Sequence, residues 1–208
     1  FRAYGNIGTS YRVPTYTNLY YTSPVTISNP DLNTEEAFSQ EVGFKYMSDR
    51  FNISIAAFNR DADNLIDYVR ENTTDAWQAQ NIQSVNTKGY EAQADYFFTI
   101  NNLPQKIQLG YSYLDNDVKA SEANFSQYSI NSMKHQFTSS LQFNFFKGLN
   151  TTFAYRYVER TAGMSYNVYD ANVSYRIKAF ELSMFANNIF NADYIELGMI
   201  PMPKGNVM

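Results

Sequence analysis

Apolar and polar side chains take turns along this chain. The segment Thr152-Phe153-Ala154-Tyr155-Arg156-Tyr157-Val158 shows the rhythm, and it returns over 169–176 and 180–184. A strand sends successive side chains to opposite faces, so each such segment has one greasy face and one polar face. The pattern predicts nine strands, over about 1–12, 36–47, 51–60 with an extension towards 70, 80–98, 106–116, 133–146, 149–160, 166–177 and 180–188. The tail 189–208 reads as a loop and the start of one more strand.

The joins between these segments sort by length. Short turns fall at 47–50, 101–104, 147–148 and 178–179, and longer connections at 13–35, 71–79, 117–131, 161–165 and 189–203. The first long connection holds Pro14, Pro24 and Pro30, which do not fit a central strand. A sandwich with Greek-key connections has no reason to alternate short and long joins. A transmembrane barrel does, with turns on one side of the membrane and loops on the other. The fold class expected is therefore all-β: an antiparallel, up-and-down transmembrane β-barrel. Glu91, Asp95, Arg156, Asp170, Arg176 and Glu181 all fall on the polar face. At the lipid midplane such charges cost about 2–4 kcal/mol each, so in a membrane protein they face the lumen, towards a plug or each other.

Composition narrows the chemistry more than the fold. There are 18 Tyr and 16 Phe against one Trp. Tyr suits a membrane interface, but it also suits the strands of a soluble sandwich. Cysteine is absent, which excludes disulfide scaffolds, thiolate metal sites and cysteine catalysis. His135 is the only histidine, so no histidine-based triad or paired-histidine metal site can be built from this chain, and no enzyme is expected. The net charge of −4 is scattered, with no basic stripe for nucleic acid. Asp61, Asp63 and Asp67 with Asn64 lack the Gly and terminal Glu of a calcium loop and read as a solvated loop face. No apolar run approaches the roughly 20 residues of a spanning helix. The chain opens at Phe1 in a strand, without Met or a signal peptide, and is expected to be a piece of a longer or processed protein.

Four segments in order resemble the barrel of TonB-dependent outer-membrane receptors. Ser10-Tyr11-Arg12-Val13-Pro14, leading to Asn18-Leu19-Tyr20, is similar to that family's FRAPxxxELY run. Asn29-Pro30-Asp31-Leu32-Asn33-Thr34-Glu35-Glu36, followed by Glu41-Val42-Gly43, resembles its NPxLxPE…ExG stretch. Asn86-Thr87-Lys88-Gly89-Tyr90-Glu91 resembles NxGxEx, and Asn188-Ile189-Phe190-Asn191-Ala192-Asp193-Tyr194 resembles NLFDxxY. The resemblance implies a 22-stranded barrel around an N-terminal plug. Residues 1–208 would then be its C-terminal nine to ten strands, without the plug. It also implies a Gram-negative outer-membrane protein that imports a scarce, bulky nutrient, driven by TonB acting on the plug. The chain departs from the pattern at Pro201-Met202-Pro203-Lys204-Gly205, where the family carries a Pro-Gly-Arg-like step, and at its stop at Met208.

Within that family, Asp63-Asn64-Leu65-Ile66-Asp67-Tyr68 and Trp77-Gln78-Ala79-Gln80-Asn81 look most like the cobalamin receptors. Ferric-siderophore and haem receptors are the alternative. The ligand residues implied are Tyr16, Tyr20, Tyr21, Asp67, Tyr68, Arg70, Trp77 and Asn81. For the three tyrosines the competing role is a rim aromatic at the membrane interface. For Trp77 it is an interfacial anchor or a clasp packing loop on loop. The partners expected are membrane lipid, a small-molecule nutrient, TonB through the plug, and a surface lipoprotein capping the Tyr- and Asn-rich loops; no cofactor is implied. A different class stays open as well: a small autonomous barrel or soluble β-rich binding protein, which would stay monodisperse without detergent.

Overall fold

A computed structural model describes the chain except residues 120–124, 128–131, 162 and 197–199, and describes backbone alone at 82, 83 and 119. Its framework is one sheet. The strands are β1 (Arg2–Arg12), β2 (Thr26–Ile27), β3 (Glu35–Met47), β4 (Phe51–Arg70), β5 (Trp77–Ile100) and β6 (Leu103–Lys119). They continue as β7 (Phe125–Ser126), β8 (Met133–Phe143), β9 (Leu149–Arg160), β10 (Ser165–Ile177), β11 (Phe180–Asn187) and β12 (Asn206–Val207). Along the main path the order is β1-β3-β4-β5-β6-β8-β9-β10-β11-β12, each neighbour antiparallel. Sequential strands are spatial neighbours, as in an up-and-down barrel wall. β2 and β7 lie off the path, on β5 and β4.

The register sorts every side chain onto one of two faces. Directly opposed residues share a face, so Ala56, Glu91, Ser112, Gln136 and Val158 form one row. Asn52, Asp95, Gln108, Ser140, Ala154 and Asp170 form another on the same side. The opposite face carries Phe44, Ile55, Ala92, Tyr111, Phe137 and Tyr157 in one row, and Tyr46, Ile53, Ala94 and Leu109 in the next.

Aromatic side chains border this apolar face at both ends. Near the turns, Phe51 meets Tyr96 at 4.8 Å, Tyr96 meets Phe98 at 5.2 Å and Phe98 meets Phe143 at 6.4 Å between ring centroids. Towards the loops, Tyr90 meets Tyr113 at 6.2 Å, Tyr113 meets His135 at 4.9 Å and Tyr155 meets Tyr169 at 4.8 Å. Phe98 to Tyr90 is about 26 Å along β5 at the usual rise per residue. At a barrel tilt near 40° that is roughly 20 Å of height, close to the apolar band of an outer-membrane barrel. Beyond Tyr90 the same face turns polar, with rows of Asn59, Lys88 and Asp115, then Asp61, Asn86 and Asp117.

Several boundaries differ from the sequence reading. The third strand runs the full way to Arg70, because β4 and β5 stay paired through Val69 and Gln78, well past the upper aromatics. The turn before β6 is Asn101-Asn102 alone, both with positive φ (51° and 61°), and Pro104 is already the second residue of the following strand. The sixth strand stops at Phe143 rather than 146: the Gln105 side chain accepts from Asn144 N–H at 2.7 Å and donates to Asn144 O at 3.0 Å, closing the turn. The connection over 71–79 shortens to 71–76, and β10 begins at Ser165, so the expected longer loop after β9 is a tight link. There Arg160 N–H bonds Met164 O at 2.8 Å, and alternation of join lengths fails at that one place. Of the connection 117–131, β6 takes the first residues and β7 two more, and most of the remainder lies outside the described residues.

Candidate ligand-binding site

The first long connection is a folded platform. Val13-Pro14 ends β1, and Thr15 caps a short helix, α1 (Tyr16–Tyr20). Thr15 N–H donates to Asn18 Oδ1 at 3.0 Å while Asn18 N–H donates back to Thr15 Oγ1 at 3.3 Å, a reciprocal cap that satisfies two helix-end donors. Asn18 is buried, and its Nδ2 donates to the Tyr68 hydroxyl at 3.1 Å. Asn29 N–H donates to Asn18 O at 2.9 Å, folding the rest of the connection back over the helix. Tyr16 and Tyr20 are left outside, 75% and 61% exposed, with ring centroids 5.4 Å apart, and Tyr21 is exposed beside them.

The projecting β4–β5 hairpin grips this platform at three points. At the first, Arg12 Nε donates to Glu35 Oε2 at 2.8 Å, and Glu35 Oε1 accepts both Arg12 Nη2 and, at 2.6 Å, Ile66 N–H. Glu35 is buried, so its desolvation is offset by these three donors. At the second, Asn81 Oδ1 accepts Asn33 N–H at 2.8 Å, and its Nδ2 donates to Asn33 O at 3.1 Å and Asn64 O at 2.5 Å. At the third, β2 pairs in parallel with β5 (Thr26 opposite Trp77), and Trp77 N–H donates to Val25 O at 3.0 Å. The Arg70 guanidinium lies 4.2 Å from the Trp77 ring centre and 5.8 Å from that of Phe125, and Arg70 Nη1 donates to Thr73 O at 2.8 Å.

Thus the eight loop residues singled out from sequence converge on one region but do not share one surface. Tyr16, Tyr20 and Tyr21 are exposed. Tyr68, Arg70, Trp77 and Asn81 hold the loops together, Trp77 in the geometry of a clasp. Asp67 is 1% exposed, accepts Tyr68 N–H at 2.6 Å and is bonded by the Ser126 hydroxyl of β7. Asp61 takes the side-chain amides of Asn59 (2.8 Å) and Asn86. Arg12, Asn18, Asn33 and Glu35 were not singled out as site residues. All four stand in the sequence only as letters of two separate motifs.

The six charged residues of the polar face are brought to one side of the sheet. Glu91, Arg156 and Asp170 line a cavity of about 700 Å³ with Tyr4 and Lys45, and the rest of its wall mixes Ser, Thr and Gln with small and apolar residues such as Ala56, Ala92 and Leu109. Two pairings are internal to that face: Arg176 Nη2 with Glu181 Oε2 at 2.6 Å, and Lys106 Nζ with Asp95 Oδ1 at 3.7 Å. The last connection closes over it. Arg156 Nη1 meets Glu196 Oε1 at 2.8 Å, Tyr166 donates to the same carboxylate oxygen at 3.1 Å, and the Tyr166 and Tyr194 rings stack at 4.6 Å. Asn188 is buried and shapes this turn: its N–H donates to Asp170 Oδ1 at 2.8 Å and its side chain exchanges bonds with Ala192 N–H and O.

A family model for the β-barrel of TonB-dependent receptor-like proteins matches residues 1–191. The chain belongs to that family. A stretch of 87 residues, 42% of the chain, is 31% identical to the vitamin B12 transporter BtuB of Vibrio vulnificus (strain YJ016). It spans 14% of that relative's length. Among solved structures, the copper transporter OprC superposes over 99% of the chain with a TM-score of 0.74 at 18% identity. The siderophore receptor PirA of Acinetobacter baumannii superposes over 99% with a TM-score of 0.70 at 15% identity. The chain covers 35% and 37% of those two structures, so they share this TonB-dependent receptor wall and extend well beyond it.

Proposed function

We propose that the chain is the C-terminal portion of the barrel of an outer-membrane, TonB-dependent active-transport receptor, and that its nutrient is cobalamin. The observation carrying the ligand assignment is the 31% identity to a vitamin B12 transporter. In this reading the apolar face with its two aromatic borders meets lipid, and the polar face lines the lumen. Glu91, Asp95, Arg156, Asp170, Arg176 and Glu181 then sit opposite a plug contributed by the rest of the receptor. β1 and β12 each pair on one side among the described residues, and open strand edges are unfavourable in lipid, so further strands close the wall. The tight turns 48–50, 101–102, 144–148 and 178–179 face the periplasm, and the α1 platform faces outward, where a surface lipoprotein would also dock. TonB acts on the plug, and the wall positions the loops without chemistry of its own.

The test is a titration of cyanocobalamin into the full-length receptor in detergent, with a ferric siderophore as control. Saturable binding near the nanomolar range, about −12 kcal/mol, is expected. Binding of the control alone would overturn the cobalamin assignment and move the ligand to the iron class.

A further inference from the structure

We propose that Asn18, Tyr68 and Asn81 are positioning residues: they hold the 13–34 connection in one pose before ligand arrives, so that Tyr16 and Tyr20 meet it on a preformed ledge. A connection this long, carrying three prolines and no continuous strand, would ordinarily sample many conformations. Here its polar groups are answered from outside it. The helix end is tied to β4 through Asn18 and the Tyr68 hydroxyl (3.1 Å). The far end is tied to β5 by the Asn81 amide, which copies a backbone pair across Asn33. Between them the Val25–Ile27 segment is zipped to Trp77 and Gln78 as a short parallel ribbon. Three ties at the start, middle and end leave the two exposed rings at a fixed height above the sheet. Ordering a loop at the moment of binding subtracts from affinity and slows association, and a loop already held avoids that cost.

The inference rests on the receptor reading only for the identity of the ligand, so the test has an arm that needs none. In the full-length receptor, Tyr68→Phe removes one hydroxyl and keeps the ring, while Asn81→Leu removes three hydrogen bonds at similar volume. Amide exchange over 13–34 is expected to rise at least tenfold in Asn81→Leu and measurably in Tyr68→Phe, with exchange in the membrane-spanning parts of β5 and β6 unchanged. Cyanocobalamin is expected to bind about fivefold more weakly to Tyr68→Phe, the scale of one net hydrogen bond, with the loss in the association rate. Unchanged exchange over 13–34 in both variants overturns the proposal, whatever the receptor binds. Faster exchange with unaltered association overturns the role of the pose in binding. A wild-type receptor that ignores cyanocobalamin defeats the ligand assignment instead and leaves the exchange arm to decide.

Discussion

At the residue scale, the polar face of the wall depends on side chains lying flat. Phe58 on β4 crosses Gly89 on β5, and Tyr4 on β1 crosses Gly43 on β3. A Cβ at Gly89 would overlap the Phe58 ring and stand 2.9 Å from Tyr113 O, which belongs to a paired backbone and has no room to retreat. Gly89→Ala is therefore expected to lower the stability of the full-length receptor by about 1–3 kcal/mol, read from its urea-unfolding midpoint. In a double-mutant cycle the cost of Gly89→Ala should be smaller in a Phe58→Ala background, where only the overlap with Tyr113 O remains. Gly89 was legible in the sequence as one letter of a motif, but its reason was not: the ring that covers it lies 31 residues earlier in the chain. Asn81 teaches the same lesson. It was legible as a polar loop residue and a ligand candidate, and the structure spends its amide on Asn33 and Asn64.

At the element scale, the period of two does most of the work. Neighbouring residues of one strand meet opposite solvents, so the same substitution should give opposite results one position apart. Ala94 lies mid-band in the row of Ile53 and Leu109, whereas Gln93 lines the cavity on the other face. In lipid vesicles, Ala94→Arg is expected to cost about 2–4 kcal/mol and Gln93→Arg near zero, compared by unfolding midpoints. Equal costs would mean that the face assignment is wrong. Strand identity was legible because alternation is local. The ends were not, because β4 and β5 run past the apolar band as a mutually paired hairpin, and what stops β8 at Phe143 is a Gln105 side chain on the strand beside it.

For the whole molecule, the proposed orientation puts the turns and the α1 platform on opposite sides of the membrane, and the absence of cysteine from these 208 residues helps to test it. Single cysteines at Thr74, between β4 and β5, and at Ser48, in the turn after β3, lie at opposite ends of the wall. A membrane-impermeant maleimide added to intact cells is expected to label Thr74→Cys and to label Ser48→Cys only after the outer membrane is opened. The reverse pattern would invert the barrel and remove the α1 platform from the outer surface.

The sequence by itself determined the main-path strands apart from their ends, their two faces, the succession of neighbours and the family, because each rests on local signals: a period of two, turn residues and short ordered motifs. It also named eight loop candidates that the structure gathers in one region. The tertiary structure alone decided their roles. Tyr16 and Tyr20 stay exposed because Asn18 and Tyr68 occupy the inner side of their helix, Asp67 is buried because β7 returns to cover it, and Arg12 meets Glu35 because β1 and β3 pair in one register. Each of these contacts joins residues far apart in the chain, and its geometry exists only once the strands are side by side.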